Sequence, residues 1–504
     1  MPLLLLKPKF DDRDASWNYS RAWEVGRKFL YQWNTPERVV FWARVPMVGL
    51  YLGLALLLWS ASRRLYGTAA GLVALLLALF TPDLLAHGQL VTNDLAISLF
   101  FFAAVWWFNR AVAEGGWRNI LLFAIACGCA VATKHTASIL LLILILLAGV
   151  YLLFAGRLSD LPALPLRSRL ARIARLAGAA FLLTVLIVWA VYGFRFAISP
   201  DLEILVPWEE YGSQHLVPQL ILQLRQWQLL PEAYLAGLLE GFRMLTIHQG
   251  YLFGELYAGG RWYYFPVSFL LKTPVPLLVL VLATLRWKSN LKFSSCCLLL
   301  PPAIYLLVAM QSEVNIGNRH ILPVYPFLIV WAAQCGRVFS ADNPCSDWLR
   351  PGRWQRLGLG LLLVWLVVGT VRVYPNFLSY FNELAGGHQG GARYLADSNI
   401  DWGQNLKGLA TYQRQHPNEP LHVCYFGSAE PAYYLPGATI LPCFFDRNEP
   451  FVPPPPGSTV AISQNMLLGI LLRDDPQVRA FVARLKGETP FNRIGDSILL
   501  YRLP

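Results

Sequence analysis

Charge is what this 504-residue sequence has least of: only 14% of its residues are Asp, Glu, Lys or Arg. A soluble domain carries about 25%. With 56% hydrophobic residues and a mean hydropathy of +0.43, the chain falls outside the ordinary water-soluble class. Metal-binding patterns are also missing. The eight cysteines form no Cys-x-x-Cys pair, and no His-Glu-x-x-His occurs, so nothing implies a metal or a cofactor. Cys127 and Cys129 fall in one apolar run and Cys296 and Cys297 in another, as small apolar residues do. Cys424 and Cys443, near the C-terminus, can pair in an oxidising compartment. Nor is there an internal repeat of the kind that betrays a two-halved transporter.

What the sequence does have is long apolar runs. Candidate spans lie at about 39–61, 67–84, 93–109, 118–135, 136–155, 176–197, 264–285, 294–310, 320–336 and 356–373. The eighteen tryptophans and twenty-two tyrosines suit two interfacial belts. The expected fold is mainly α: a polytopic helical membrane protein of about ten transmembrane helices with a small α/β extracytoplasmic C-terminal domain. Sixteen basic residues gather in alternate loops: Arg63 and Arg64; Arg110 and Arg118; Arg157, Arg167, Arg169, Arg172 and Arg175; Arg286, Lys288 and Lys292; Arg337, Arg350, Arg353 and Arg356. The intervening short loops hold only Lys134 and Arg319. The positive-inside rule places the first set in the cytoplasm and both chain ends outside. The net charge of +12 is thus a topology signal, and no nucleic-acid partner is expected.

Three regions follow: an outer segment at 1–38, a membrane region at 39–373 with a long outer loop at 198–262, and an extracytoplasmic α/β domain at 374–504. The loop contains "QLILQLRQWQLLPEAYLAGLLEGF", whose leucine spacing predicts a helix along the membrane surface. The tail is nearly balanced in charge, broken by "FVPPPPGS", and carries strand-like runs "LHVCYF", "STVAIS" and "SILLYRL". Asn18-Tyr19-Ser20 matches a glycosylation acceptor.

With the cytoplasmic charges set aside, a small group remains at the outer face. Asp94 opens an apolar run in "LLAHGQLVTNDLAISLFFFAAVWWF", with His87 before it; Lys134 and His135 end the fourth span; Lys272 lies inside the seventh; Arg195 closes the sixth; Arg319 and His320 open the ninth. Charges in hydrocarbon cost about 2.5–3.5 kcal/mol at a helix centre, so they usually face a cavity or a partner. Each also has an ordinary explanation. Asp94 can cap its helix after Thr92 and Asn93, Lys272 can snorkel, Lys134 and Arg319 can anchor at the interface, and the histidines can be structural. Several cations with one carboxylate nevertheless suit a lipid-linked phosphate, the cations neutralising a departing phosphate and the acid taking a hydroxyl proton. A proton-coupled transporter or flippase is the competing class.

Four segments carry a resemblance: "TPDLLAHGQLVTNDLAISLFF", "HQGYLFGELYAGGRWYYFPVSFLLKTPVPLLVL", "NIGNRHILPVYPFLIVWAA" and "YFNELAGGHQGGARYLADSNIDWGQNLKGL". In order and spacing they resemble bacterial membrane glycosyltransferases of the GT-C superfamily, related to dolichyl-phosphate-mannose–protein mannosyltransferases. The resemblance implies a plasma (inner) membrane enzyme, a hexosyltransferase that takes a polyprenyl-phosphate-linked sugar as donor. The acceptor hydroxyl would belong to a protein, a lipid or a glycan. It implies Asp94 as a catalytic acid. Lys134, Lys272, Arg319 and His320 become substrate-binding residues near the lipid phosphate, with Asp401 and Trp402 of "DSNIDWGQ" toward the acceptor. Such enzymes also carry an acid in a first outer loop after a first helix. Here only Asp11 and Asp12 are adjacent acids there, so an upstream helix is expected to be missing. A relative that binds carrier lipid without catalysis is a further reading.

Overall fold

The computed structural model describes residues 2–18, 21–198, 208, 216–243, 249–285, 292–339 and 353–504. Tyr19 and Ser20, residues 199–207, 209–215 and 244–248 of the segment preceding the first strand, and the basic residues Arg286, Lys288 and Arg350 lie outside the described residues.

Every apolar run read from the sequence is a helix or a bent pair of helices. Six are long and apolar enough to cross a membrane: Pro36–Tyr66, Asp94–Ala113, His135–Arg157, Leu166–Val191, Asn318–Phe339 and Arg353–Arg372. Two more are broken: Thr68–Leu79 with Pro82–Gly88 bends by 64°, and Tyr264–Lys272 with Val275–Leu285 by 108°. Trp117–Thr133 and Phe293–Ala309 are shorter apolar helices. Both breaks sit at Thr-Pro dipeptides. Thr81 and Thr273 have extended backbones, and the prolines that follow cannot donate into the preceding turn. The chain is an integral membrane protein. Its burial is inverted relative to a soluble bundle: Leu166–Val191, among the most apolar helices, buries only Leu176 and Val188. The rest of its apolar surface faces outward, as lipid contact requires.

The two most enclosed spans are Asp94–Ala113 and Asn318–Phe339. Both begin at one end of the bundle, so the first residues of both central helices share that end. The basic residues share the other. There Arg64 and Arg110 pair with Glu114 at 2.7 and 2.8 Å, and Arg172 donates to the Val112 carbonyl at 2.6 Å. Arg169 reaches Leu152 and Arg337 reaches Leu65. Asp160 accepts from the Phe293 and Ser294 amides at 2.6 and 2.9 Å, starting the Phe293–Ala309 helix.

The single surface helix expected in the long loop is two: Leu216–Gln226 and Glu232–Arg243, separated at Pro231. Ile221, Tyr234, Leu235 and Leu239 pack with Val188 at the end of Leu166–Val191. Beyond it comes a hairpin of β1 (Gln249–Leu252) and β2 (Glu255–Ala258), turned through Phe253 and Gly254, both at positive φ.

The three strand-like runs of the tail are β3 (Leu421–Cys424), β5 (Thr459–Ser463) and β7 (Ile498–Arg502). Two short strands join them, β4 (Thr439–Ile440) and β6 (Asn492–Ile494), in the order β4-β3-β5-β7-β6. Strands β4, β3 and β5 run parallel, and β7 is antiparallel to both neighbours. Alternate residues serve opposite faces. Val460, Ile462, Leu499 and Tyr501 pack with Val478, Phe481 and Leu485 of the helix Pro476–Lys486. Ala461, Ile498 and Leu500 pack with Leu406 and Leu409 of the helix Leu406–Gln415. Cys424 and Cys443 form a disulfide within the first of these cores. Ahead of the first long helix, the N-terminal segment touches the tail: Arg27 pairs with Glu430, and the Tyr31 ring lies 5.2 Å from that of Tyr433.

Candidate active site

Asp94 is the first residue of its helix, and its carboxylate is wholly buried. It does not cap the helix. Its Oδ1 accepts from Lys134 Nζ at 2.5 Å, and its Oδ2 lies 3.5 Å from an Arg319 Nη. Lys134 follows the last turn of Trp117–Thr133 with an extended backbone, which turns its side chain across the helix ends. The same two ends are joined by Asn93, whose amide donates to the Thr133 carbonyl.

Arg319 is the second residue of the Asn318–Phe339 span, and its approach is sterically tight. A Cβ on Gly317 would lie 2.8 Å from Ser398 Cβ, so glycine lets the chain pass against the tail. The Arg319 guanidinium stands 4.6 Å above the Trp402 ring, a cation–π contact, and His87 meets that indole edge-on at 5.9 Å. Trp402 is fixed in turn by a bond from its Nε1 to Ser398 Oγ at 3.1 Å. Asp94, Lys134, Arg319 and Trp402 thus meet, from three helix ends and the tail.

The exposure of these groups is graded. Asp94 is sealed, while the Lys134 and Arg319 side chains keep 17% and 21% of their surface. An anion approaching this end therefore meets the cations first. Three buried polar atoms here, Asp94 Oδ2, His87 Nδ1 and Arg319 Nε, have no hydrogen-bond partner among the described residues. Buried polar groups are usually hydrogen-bonded, to protein or to ordered water, so these three atoms are open to a polar partner.

Lys272, His320 and Asp401 are placed elsewhere. Lys272 does not snorkel: the bend after it turns its ammonium inward, where it is 1% exposed. It lies 3.5 Å from Asp83 and donates to the carbonyls of Leu378 at 2.7 Å and Asn399 at 2.9 Å. With three oxygen partners it has no donor to spare for a lipid phosphate. His320 faces the Phe265 ring. Asp401 is buried within the tail, its Oδ1 accepting from the Gly403 amide. Asp83, Asn318 and Asn399 are not singled out by the sequence alone. Asp83 has a local signal, an acid after proline in a helix's first turn, but its partners lie far away in the chain.

Residues 38–189, which contain both Asp94 and Lys134, match the family model "Dolichyl-phosphate-mannose-protein mannosyltransferase". The chain is similar to that family over these residues. No curated protein matches the chain. Among solved structures, that of ArnT from Cupriavidus metallidurans bound to undecaprenyl phosphate aligns at 13% identity and a TM-score of 0.41, covering 94% of this chain and 85% of that one. The apo structure of the same protein aligns with the same identity and TM-score over 96% and 86%.

Proposed function

We propose that this protein is a glycosyltransferase that moves a sugar from a polyprenyl-phosphate donor to an acceptor hydroxyl, at the membrane face where Asp94 lies. One observation carries the reading: a sealed carboxylate held between two partly exposed cations, with Asp94 and Lys134 inside the segment that matches the family. The acceptor oxygen attacks the anomeric carbon as the bond from that carbon to the phosphate oxygen breaks. The bonding pair leaves with the polyprenyl phosphate, which gains one negative charge. Lys134 and Arg319 are placed to stabilise that charge, and Asp94 to take the hydroxyl proton.

The two cations cannot serve the carboxylate and the phosphate fully at once. Donor binding draws Lys134 and Arg319 toward the phosphate and loosens their hold on Asp94, freeing its carboxylate to take the hydroxyl proton. The uneven grip, 2.5 Å to lysine and 3.5 Å to arginine, suits such an exchange. The basic end of the bundle lies on the cytoplasmic side of a plasma membrane, and the Asp94 end with the tail on the outer side.

The test follows labelled sugar from a polyprenyl-phosphate donor in membranes containing Asp94→Asn. Transfer should fall by about 100-fold or more, the range of general-base catalysis. Donor affinity should hold or rise, because the amide no longer competes for the cations. Lys134→Met or Arg319→Met should weaken donor binding instead. Full transfer by the Asp94→Asn protein would sink the reading.

A further inference from the structure

The candidate site is assembled from parts that do not share an element. Asp94 and Lys134 belong to the first helices of the bundle, Arg319 to the ninth span, and Trp402 to the tail. Behind the last two lies a buried polar cluster centred on Asp83.

Asp83 is 2% exposed and sits in the first turn of Pro82–Gly88. One oxygen faces Lys272 Nζ at 3.5 Å, and the other accepts from the Asn318 amide nitrogen. Asn318 also donates to the Tyr325 hydroxyl at 2.8 Å and accepts from Ser268 Oγ at 3.0 Å. Its backbone amide donates to Asn399 Oδ1 at 2.9 Å, and the Asn399 amide donates to the Tyr264 hydroxyl at 3.0 Å. The same Lys272 holds the carbonyls of Leu378 and Asn399. Asn318 immediately precedes Arg319, and Asn399 lies three residues before Trp402.

We infer that Asp83, acting with Lys272 and Asn318, is a positioning group that locks the tail segment 378–402 onto the bundle so that Arg319 and Trp402 meet over Asp94. The inference rests on the proposed function for its catalytic consequence, but its geometric content stands apart from it. A buried ion pair is a poor source of stability. Replacing both partners by apolar residues of similar size is often neutral or stabilising, whereas removing one partner typically costs about 3–5 kcal/mol. What the pair supplies here is direction. Asp83 can satisfy Lys272 and Asn318 together in only one arrangement, and apolar residues impose no such registry. Lys272, shut away from the site, becomes intelligible as the cation that binds two carbonyls of the tail to one carboxylate of the bundle.

The experiment compares the purified full-length protein with the double variant Asp83→Leu/Lys272→Met. Three readouts are taken: melting temperature in detergent, amide exchange of residues 396–404, and donor KM and kcat. A melting temperature near that of the wild type, exchange at least tenfold faster in 396–404, and kcat/KM at least tenfold lower support positioning. Wild-type exchange and wild-type kcat/KM in a stable double variant would overturn it, leaving the pair as ordinary packing. Should the double variant not fold, Asp83→Asn carries the same readouts. It keeps the side-chain volume and removes only the charge, and unchanged exchange would count against the idea. Exchange needs no substrate, so failure of the proposed reaction would show as absent transfer in the wild type while the exchange result still decides the positioning.

Discussion

At the scale of single residues, charge in an apolar sequence is informative because it is rare, yet its partners are hard to foresee. Asp94 stood out as the acid at the mouth of an apolar run, and it is the buried centre of the candidate site. Asp83 and Asn318 did not stand out, because what gives them meaning is a contact across 235 positions of sequence. Asp401 shows the reverse: a residue placed by resemblance toward the acceptor is sealed inside the tail. Burial lifts its carboxyl from the usual 3.8 to about 7, against the opposing hydrogen bond of the Gly403 amide. The sign follows directly. Between these values the folded tail binds more protons than the unfolded chain, so this group's contribution is full below pH 3.8 and lost as pH rises through about 7. By this group alone, the tail is about 4 kcal/mol less stable above pH 7 than at pH 4 or below. Asp401→Asn should retain the bond from Gly403 while removing the titration. Thermal melts from pH 4 to 8 should then show a flatter profile and a higher melting point at pH 8. Identical profiles for variant and wild type would mean that Asp401 is ionised without penalty.

At the scale of elements, the apolar runs were legible because hydropathy alone fixes them, while their interruptions depended on backbone chemistry. The run 264–285 reads as one span, but Thr273-Pro274 turns it by 108° and sends Lys272 inward. The leucine-rich loop reads as one surface helix, but Pro231 divides it. Proline gives a local reason for each break; the direction of the bend comes from packing that no local signal carries. Capping is likewise non-local here. The Phe293–Ala309 helix takes its first hydrogen bonds from Asp160, which lies 133 and 134 residues away in sequence from the amides it accepts. Those amides would otherwise be left without an intrahelical partner. Asp160→Ala should cost about 1–2 kcal/mol, seen as a lower melting temperature in detergent, and Asp160→Asn should recover part of it. Because Asp160 sits at the basic end, away from Asp94, donor affinity in the surviving folded protein should not change. A fall in affinity without a fall in stability would show that the two ends are coupled.

At the scale of the whole molecule, two independent features agree on how the chain is threaded. The basic residues of alternate loops meet at one end, as Arg64, Arg110, Arg172 and Arg337 do around the segments 65–66 and 112–114. The segment before the first long helix and the tail after the last touch each other, through Arg27 with Glu430 and Lys407 with Glu37. That contact requires an even number of crossings between residues 36 and 373, consistent with the ten runs read from hydropathy. The charge bias predicts the sides: the basic end within, the tail and Asp94 outside. Single cysteines at two exposed arginines test this in cells, with the free cysteines replaced beforehand. Arg157→Cys lies at the basic end and Arg447→Cys in the tail. A membrane-impermeant maleimide should label Arg447→Cys in intact spheroplasts, and Arg157→Cys only after permeabilisation. The opposite pattern would put Asp94 on the cytoplasmic side, where the acceptor would have to be a cytoplasmic molecule. Labelling of both from outside would contradict the threading itself, because the fold keeps these two positions at opposite ends of the same bundle.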